Sequence, residues 1–257
     1  MLTSLHEGAA DKIDWQEIAH SPPPSTTSED GLHVRKLNAQ IENFQPTLRD
    51  KIFNRTEARI EKMKSQLPEA QEKDRIHYKE WQDEVHQAKQ VLEGDRKAWK
   101  EVIHKTNPFK DLEDLGSTID FYVEEKKNQA MLKMKVDKRV VSAKELSVTK
   151  TGKLSQKNMT KGKHFTLFQE YISSSVLRAG RELFSLLPLD TVVVHVYGLA
   201  EADEKNGCIL SVFMYKNEME ELHFENIDCV ETIKTFTHHM KFLKTKGFRL
   251  VEEVTEG

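Results

Sequence analysis

Segment 163–196 constrains the fold most, because a long helical pattern leads directly into an apolar strand pattern. Seven apolar residues recur at steps of three and four: Phe165, Phe168, Ile172, Val176, Ala179, Leu183 and Leu186. That spacing predicts one apolar stripe along a helix of about seven turns. Pro188 ends the helix, because its ring nitrogen cannot donate a hydrogen bond. Residues 191–196 are apolar at nearly every position and therefore predict a strand covered on both faces.

Strand patterns replace helical ones after residue 115. Residues 119–123 and 132–136 alternate apolar and polar side chains around a polar turn, which predicts an antiparallel hairpin. We expect Val123 to lie opposite Leu132, which places Asp120 opposite Lys135. A shorter strand is expected near residues 146–149, and a second apolar strand at residues 208–215.

The C-terminal part predicts one more helix and one more strand. Asp228 and Glu231 have the spacing of a helix cap, and four residues at helical spacing follow it: Val230, Ile233, Thr237 and Met240. Residues 248–254 predict a last strand. The elements run as helices and then ββ(β)αββαβ. This order predicts an α+β fold, in which a charge-rich helical arm precedes a mostly antiparallel sheet packed by one long core helix.

Composition divides the chain into three parts. Residues 1–31 are expected to form a helical stub and a Pro-rich linker, since residues 21–31 read SPPPSTTSEDG. Residues 32–110 form a helical, coiled-coil-like arm, and residues 111–257 form the α+β domain. The charged fraction of 32% against a hydrophobic fraction of 37% fits one cored domain joined to a charge-rich arm.

A thin apolar seam runs through residues 54–101, which carry eleven Lys or Arg against eleven Asp or Glu. Its members are Ile60, Met63, Leu67, Ala70, Tyr78, Trp81, Val85, Ala88 and Leu92. Only Asp74 breaks the pattern, which suits a two-helix contact or a short coiled coil. Pro68 lies inside the pattern, so residues 55–92 are either one kinked helix or a hairpin. The preserved phase favours the kinked helix.

Bulk properties exclude several classes of protein. The net charge of −3 gives the molecule as a whole no attraction to nucleic acid or anionic lipid. Cys208 and Cys229 lack partners at ligand spacing, so we expect reduced thiols, no disulfide, no metal site and no cofactor. No apolar run approaches the ~20 residues that span a bilayer, and the first residues lack the basic start and hydrophobic segment of a secretory signal, so we expect none. We therefore expect a soluble, cytoplasmic protein without membrane contact.

The strongest feature with chemical content is the basic segment 126–163, which holds twelve Lys or Arg against Asp137 and Glu145. This local excess of ten positive charges suits the displacement of counterions from phosphates. The candidate phosphate- or nucleic-acid-binding residues are Lys150, Lys153, Lys157, Lys161 and Lys163. They lead into the core helix, whose first amides favour an anion. The alternative is a solvated face whose lysines pair with the acidic helices, and the shortage of aromatic residues argues against a base-stacking platform.

Catalytic patterns are weak throughout the chain. Five charged residues lie near the predicted strands, as in a metal-dependent nuclease: Asp120, Glu124, Lys126, Asp137 and Glu145. Only Glu124 and Lys126 have a matching spacing, and they fall in the hairpin turn. We expect His195 to be a hydrogen-bonded core histidine, and the adjacent His238 and His239 point too far apart to share one ion. We therefore predict no catalytic residue and no metal ligand.

Four stretches carry a resemblance to known proteins: AWKEVIHKTNPFKDLEDLGS (98–117), TKTGKLSQKNMTK (149–161), YISSSVLRAGRELFSLLP (171–188) and MKFLKTKGF (240–248). They are similar to a group of uncharacterised bacterial proteins in which this region normally follows a small N-terminal module of unknown function. The resemblance covers residues 15–254. This chain departs from the pattern by starting almost directly in the helical part. The resemblance implies a bacterial source and a fold neighbourhood, and it brings no catalytic residue.

These observations favour a non-enzymatic interaction module with a helical association arm. The candidate partner-binding residues are Tyr78, Trp81 and Val85, which would mediate homo-oligomerisation or bind a protein partner. The alternative hypothesis is a nucleic-acid- or phosphate-binding protein that uses the basic segment. A metal-dependent, nuclease-like hydrolase is the third and least supported hypothesis.

Overall fold

The computed structural model describes residues 2–25, 27, 29–124, 128–148 and 152–255. These residues form an α+β protein with two compact units. The sheet unit comprises Met1–Ile13 and Arg96–Gly257, and the helical unit comprises Asp14–Asp95. Residues 96–110, which we expected in the arm, thus group with the sheet.

One mixed sheet dominates the sheet unit. The strands are β1 (Thr118–Val123), β2 (Gln129–Lys135), β3 (Lys144–Val148), β4 (Leu154–Asn158), β5 (Thr191–Ala200), β6 (Lys205–Tyr215), β7 (Thr237–Met240), β8 (Phe242–Leu243) and β9 (Gly247–Phe248). Five of them pair in the order β1-β2-β5-β6-β7, while β3-β4 and β8-β9 form separate two-stranded sheets. β5 is therefore the central strand, parallel to β2 and antiparallel to β6. The prediction of an α+β fold with a mostly antiparallel sheet is confirmed.

The helices divide between the two units. They are α1 (Trp15–Ala19), α2 (Leu32–Glu42), α3 (Leu48–Ile52), α4 (Thr56–Lys64), α5 (Leu67–Leu92), α6 (Arg96–Thr106), α7 (Lys110–Asp114), α8 (Lys161–Leu186), α9 (Lys216–Glu220) and α10 (Cys229–Thr235). The first five lie in the helical unit, and the other five lie in the sheet unit.

Helix α8 is the predicted core helix, and it packs against β5. Thr160 caps it, since its hydroxyl oxygen accepts a hydrogen bond from Lys163 N at 3.4 Å. The predicted stripe is buried from Phe168 onward, and each such side chain contributes about 1.5–3 kcal/mol of transfer free energy. Gly180 lets the helix lie close to the sheet, because a Cβ there would meet Met214 Cε at 2.7 Å.

The β1–β2 hairpin is present, but its predicted register was wrong by two residues. Val123 pairs with Ala130, and Asp120 lies opposite Lys133 rather than Lys135. A shift of two residues leaves every side chain on the same face of the sheet. The alternation of apolar residues therefore could not distinguish the two registers.

The C-terminal part differs from the prediction after the helix α10. Asp228 caps α10 as expected, with its carboxylate accepting from Val230 N and Glu231 N at 2.9 and 3.1 Å. The helix ends at Thr235, and residues 237–240 form the edge strand β7. Only Gly247–Phe248 of the expected last strand is a strand, and residues 249–255 have no regular secondary structure.

In the helical unit, the seam of residues 55–92 forms two successive helices. Helix α4 ends before Ser65 and α5 begins after Gln66, yet both linking residues keep right-handed helical dihedral angles. Met63 and Leu67, on either side of the break, pack on the same cluster of α2. Pro68 lies in the first turn of α5, where no amide donor is needed. The seam is thus an interrupted helix and not a hairpin.

Asp74, the one residue that broke the seam, caps helix α2 from the side. Its carboxylate accepts hydrogen bonds from the amides of Gly31, His33 and Val34 at 2.9–3.1 Å. The imidazole Nδ1 of His33 lies 2.9 Å from the same carboxylate. Gly31 is required there, because a Cβ would meet the Asp74 side chain at 2.5 Å. Asp74 therefore joins α2 to α5.

Candidate functional site

The expected partner-binding residues of the arm are used inside the helical unit. Val85 is buried, and Tyr78 and Trp81 are half-buried with ring centroids 5.4 Å apart. The indole Nε1 of Trp81 donates to Ser21 Oγ at 3.0 Å. Because α1 also packs against α5, the seam contributes to the internal core of the helical unit.

The short helix α3 and the residue that follows it instead expose a set of apolar side chains, which we call the α3 patch: Leu48, Ile52 and Phe53. These three are 79%, 75% and 63% exposed. The guanidinium of Arg55 lies 5.3 Å from the centroid of the Phe53 ring, and Arg49 is exposed on the same helix. The patch is therefore apolar with a basic surround.

A buried carboxylate fixes the orientation of α3. Asp50 accepts hydrogen bonds from Thr47 N and Thr47 Oγ1 at 3.0 and 2.7 Å, and it lies 3.0 Å from Arg59 Nε. The hydrogen bond from the Thr47 hydroxyl is the main reason that the pKa of Asp50 lies below its usual value. Since the polar residue faces inward, the apolar residues of this helix face solvent. Sequence periodicity missed this patch, because five residues are too few to show which face is covered.

A second exposed surface on α5 contains two acidic residues, and we call it the α5 patch: Ile76, Glu80 and Asp83. Ile76 is 48% exposed, and both acidic residues are exposed. Residues four apart on a helix are neighbours, so Glu80 flanks Ile76 directly. Lys73 and Lys79 lie three residues from Ile76 and are also exposed, so the charges around Ile76 are mixed, with Glu80 and Asp83 as the acidic members.

The basic segment forms the β3–β4 hairpin and the first turn of α8. Lys153 and Lys157 lie on the hairpin, and Lys161 and Lys163 lie in the first turn. Lys150 lies outside the described residues. Lys157 pairs with Glu145 at 3.1 Å, and Lys163 also bonds that carboxylate. The hydrogen bond from Lys163, followed by the one from Lys157, lowers the pKa of Glu145.

The other face of this hairpin is apolar and uncovered. Leu146, Val148 and Leu154 are 70%, 69% and 76% exposed. Val148 pairs directly with Leu154, so the three side chains share one face of the two-stranded sheet. This aliphatic surface lies on the face of the hairpin opposite the pair of Lys157 and Glu145.

The acidic residues considered for a nuclease do not form one site. Asp120 lies on β1, Asp137 caps a turn and pairs with Arg139, and Glu145 is bonded by two lysines. Lys126 lies outside the described residues. Among the residues that the structure describes, no group of three or more His, Cys, Asp or Glu could hold a metal ion.

His195 is a buried, hydrogen-bonded core histidine, as expected. Its Nδ1 lies 2.8 Å from Ser211 Oγ, and its Nε2 lies 3.5 Å from Glu253. Burial lowers the pKa of His195, although Glu253 opposes the shift, so the imidazole is held in its neutral form. Ser211 is fully buried and its Oγ accepts from Val254 N at 2.8 Å. His195 and Glu253 line a cavity of about 440 Å³, but the fully buried Ser211 is not part of its lining, so the serine hydroxyl is not placed to attack a substrate as in a catalytic triad.

Both cysteines are free and buried in the structure. Burial raises the pKa of each thiol to about 11, which keeps it protonated at neutral pH. Among the described helices, none combines the length and the apolar character that crossing a bilayer requires. Comparison of the chain with family models, with curated proteins and with solved structures gave no match.

Proposed function

We propose that this chain is a non-enzymatic interaction module of the bacterial cytoplasm, which forms a homo-oligomer through its helical arm. The α3 patch of one copy packs against the α5 patch of a second copy. The observation that carries the proposal is the outward orientation of Leu48 and Ile52 on α3 and of Phe53 directly after it, next to a buried carboxylate. Contiguous exposed apolar surface in an otherwise polar unit marks an interaction site.

Charge supports a contact between different patches of the two copies. Arg49 and Arg55 surround the α3 patch, so two α3 patches would bring like charges together. Glu80 and Asp83 beside Ile76 supply the opposite charge. If each copy offers both patches, the contact occurs twice in a closed, two-fold dimer.

The expected affinity is moderate. Burying an exposed Leu, Ile or Phe is worth about 1.5–3 kcal/mol. Six such side chains in a symmetric dimer give a gross gain of about 9–18 kcal/mol, against an association cost of about 4–15 kcal/mol. The difference between these two ranges includes the roughly 8 kcal/mol of a micromolar dissociation constant, which is the affinity that we expect.

Sedimentation velocity over a micromolar concentration series tests this proposal. We expect Ile52→Asp to remain monomeric, since a charge would be buried in the contact, while Leu146→Asp associates like the wild type. Leu146 is a matched control, because it is also an aliphatic residue about 70% exposed. A monomeric wild type, or unchanged association of Ile52→Asp, would contradict the proposal. Trp81→Asp and Tyr78→Asp are unsuitable tests, because both residues pack inside the helical unit.

Binding of a nucleic-acid backbone is a second candidate function, which the position of the hairpin lysines favours. Lys153 directly precedes β4 and Lys161 begins α8, and both side chains are exposed. We expect the protein to bind double-stranded DNA and to bind it more weakly as the salt concentration rises. A plot of the logarithm of the binding constant against the logarithm of the salt concentration should have a slope of about −0.9 per phosphate contact.

Charge-reversal variants distinguish binding of nucleic acid from association through the helical arm. The variant Lys153→Glu/Lys161→Glu should lose retention on DNA, whereas Lys62→Glu/Lys89→Glu, exposed lysines of the helical unit, should bind as the wild type does. Equal binding of both variants, or no binding at low salt, would exclude the basic segment as a nucleic-acid site.

A further inference from the structure

An N-terminal segment, residues 5–13, lies along the polar side of helix α8. Arg181 Nη1 donates to the carbonyls of His6 and Glu7 at 3.0 and 3.1 Å. Farther along, Ile13 N donates to the carbonyl of Ser185 at 2.9 Å. The segment is therefore held against the helix at both ends, within the sheet unit.

A cavity of about 450 Å³ lies between this segment, the turn at residues 106–111 and α8. Its volume is within the range of small-molecule sites. Gly8 and Ala10 form one wall, and Gly8 has no room for a side chain, because a Cβ would meet Arg178 Nη1 at 2.8 Å. Pro108 and Leu186 supply apolar lining.

The floor of the cavity is an ion pair with one unsatisfied oxygen. Glu182 Oε1 accepts from Arg178 Nη2 at 2.6 Å and from Ala10 N at 3.2 Å. Glu182 is 1% exposed, and its Oε2 has no hydrogen-bond partner among the described residues. Burial raises the pKa of Glu182, while Arg178 and the Ala10 amide oppose the shift. An unsatisfied buried carboxylate oxygen is costly and requires an explanation.

The rim adds one charge of each sign. Lys110 and Asp111 both line the cavity and are exposed, and Asp111 lies 4.0 Å from Arg178. The cavity thus presents two cationic and two anionic side chains beside apolar surface. The carboxylates of Glu182 and Asp111 would repel a simple anion, and the cationic side chains of Arg178 and Lys110 would repel a simple cation. A molecule with both charges can place each charged group beside a side chain of opposite charge.

We propose that this cavity binds a small zwitterion of the α-amino-acid class. The ammonium group donates to the free oxygen of Glu182 and faces Asp111, and the carboxylate accepts from Arg178 and Lys110. An aliphatic side chain of the ligand contacts Leu186 and Pro108. This site lies in the sheet unit and does not depend on the proposed association of the helical arm.

Isothermal titration calorimetry of the full chain with free α-amino acids tests this assignment. We expect at least one aliphatic amino acid to bind. Its N-acetyl derivative and its amide should bind about tenfold or more weakly, because each lacks one of the two charges. If no free amino acid produces a binding heat, or if both blocked derivatives bind equally well, the assignment is wrong.

Substitutions on helix α8 test whether the amino acid binds in this cavity. Glu182→Gln keeps the shape of the side chain and removes its charge, so we expect about a tenfold or greater loss of affinity. Glu170→Gln, a half-buried glutamate of α8 outside the cavity, is the matched control and should bind like the wild type. Unchanged binding by Glu182→Gln would overturn the site. If Glu182→Gln fails to fold, the comparison of free and blocked amino acids on the wild type decides the question.

Discussion

Asp74 joins two helices of the helical unit, α2 and α5. In the sequence it was only an interruption of an apolar seam, and periodicity alone gave it no role. In the structure its carboxylate supplies the N-terminal cap of α2, which has Gly31 rather than a capping side chain at that position. The first amides of a helix lack partners within the helix, so a carboxylate from a neighbouring helix satisfies them. A contact across more than 40 residues of sequence leaves no local signal.

We predict that Asp74→Asn destabilises the protein by about 1–3 kcal/mol at neutral pH, because an amide has only one accepting atom and no charge. Urea unfolding followed by circular dichroism measures the change. Asp30→Asn is the control, since Asp30 forms only an exposed pair with Arg35 at 3.8 Å, which is worth little. Equal stability of the two variants would show that Asp74 does not hold α2.

Asp74 also makes the stability of the protein depend on pH, and the direction of this dependence follows from its pKa. Burial alone would raise the pKa of Asp74, but hydrogen bonds from His33 and Val34 outweigh it and hold the pKa below the ordinary 3.8. A lowered pKa means that the stabilisation is complete above the unfolded value and is lost as pH falls through the folded value. The stability difference between wild type and Asp74→Asn should therefore shrink below about pH 3.8. A difference that grows in acid would contradict the ionised cap.

At the scale of elements, Gly180 controls the approach of α8 to the sheet. A Cβ at this position would meet Met214 Cε, Met214 Sδ and Met219 Cε at 2.7–3.1 Å. Methionine side chains are flexible, so a single methyl group can be accommodated, and alanine also gains about 1 kcal/mol in helix propensity. We expect Gly180→Ala to stay within about 1 kcal/mol of the wild type and Gly180→Leu to lose about 1–3 kcal/mol. Urea unfolding tests both, and wild-type stability of Gly180→Leu would show that the contact is loose.

The elements that the sequence predicted well are those with one unbroken period. Helix α8 and strands β5 and β6 are long and apolar, so their type and place in the core followed from spacing alone. Strand β4 was missed because LSQKN carries only one large apolar residue. Residues 237–240 continued a helical spacing but form β7, because pairing with β6 outweighs a short local pattern.

For the candidate surfaces too, the sequence predicted some features and missed others. The basic segment was visible as composition, and two of its lysines, Lys157 and Lys163, meet at Glu145. The sequence could not show that Glu145 neutralises part of it, since that pairing depends on the register of β3 with β4. The cavity at Arg178 and Glu182 was also missed, because it needs residues 8–10 to meet a helix far along the chain.

At the scale of the whole molecule, each unit carries a surface that its own residues leave uncovered. The helical unit has the α3 patch, which arginines flank, and the α5 patch, which includes Glu80 and Asp83. The sheet unit has the aliphatic hairpin face. We infer that the helical unit mediates assembly and that the sheet unit recognises ligands. A substitution in the α3 or α5 patch should therefore leave ligand binding unchanged, and a substitution at a ligand site of the sheet unit should leave assembly unchanged.

A charge exchange across the proposed dimer contact tests the central claim most directly. Arg55→Glu and Glu80→Arg each place like charges together, so each single variant should dissociate at concentrations where the wild type is dimeric in sedimentation equilibrium. The double variant Arg55→Glu/Glu80→Arg restores opposite charges and should dimerise again. If the double variant is as monomeric as the single variants, α3 of one copy does not contact α5 of the other.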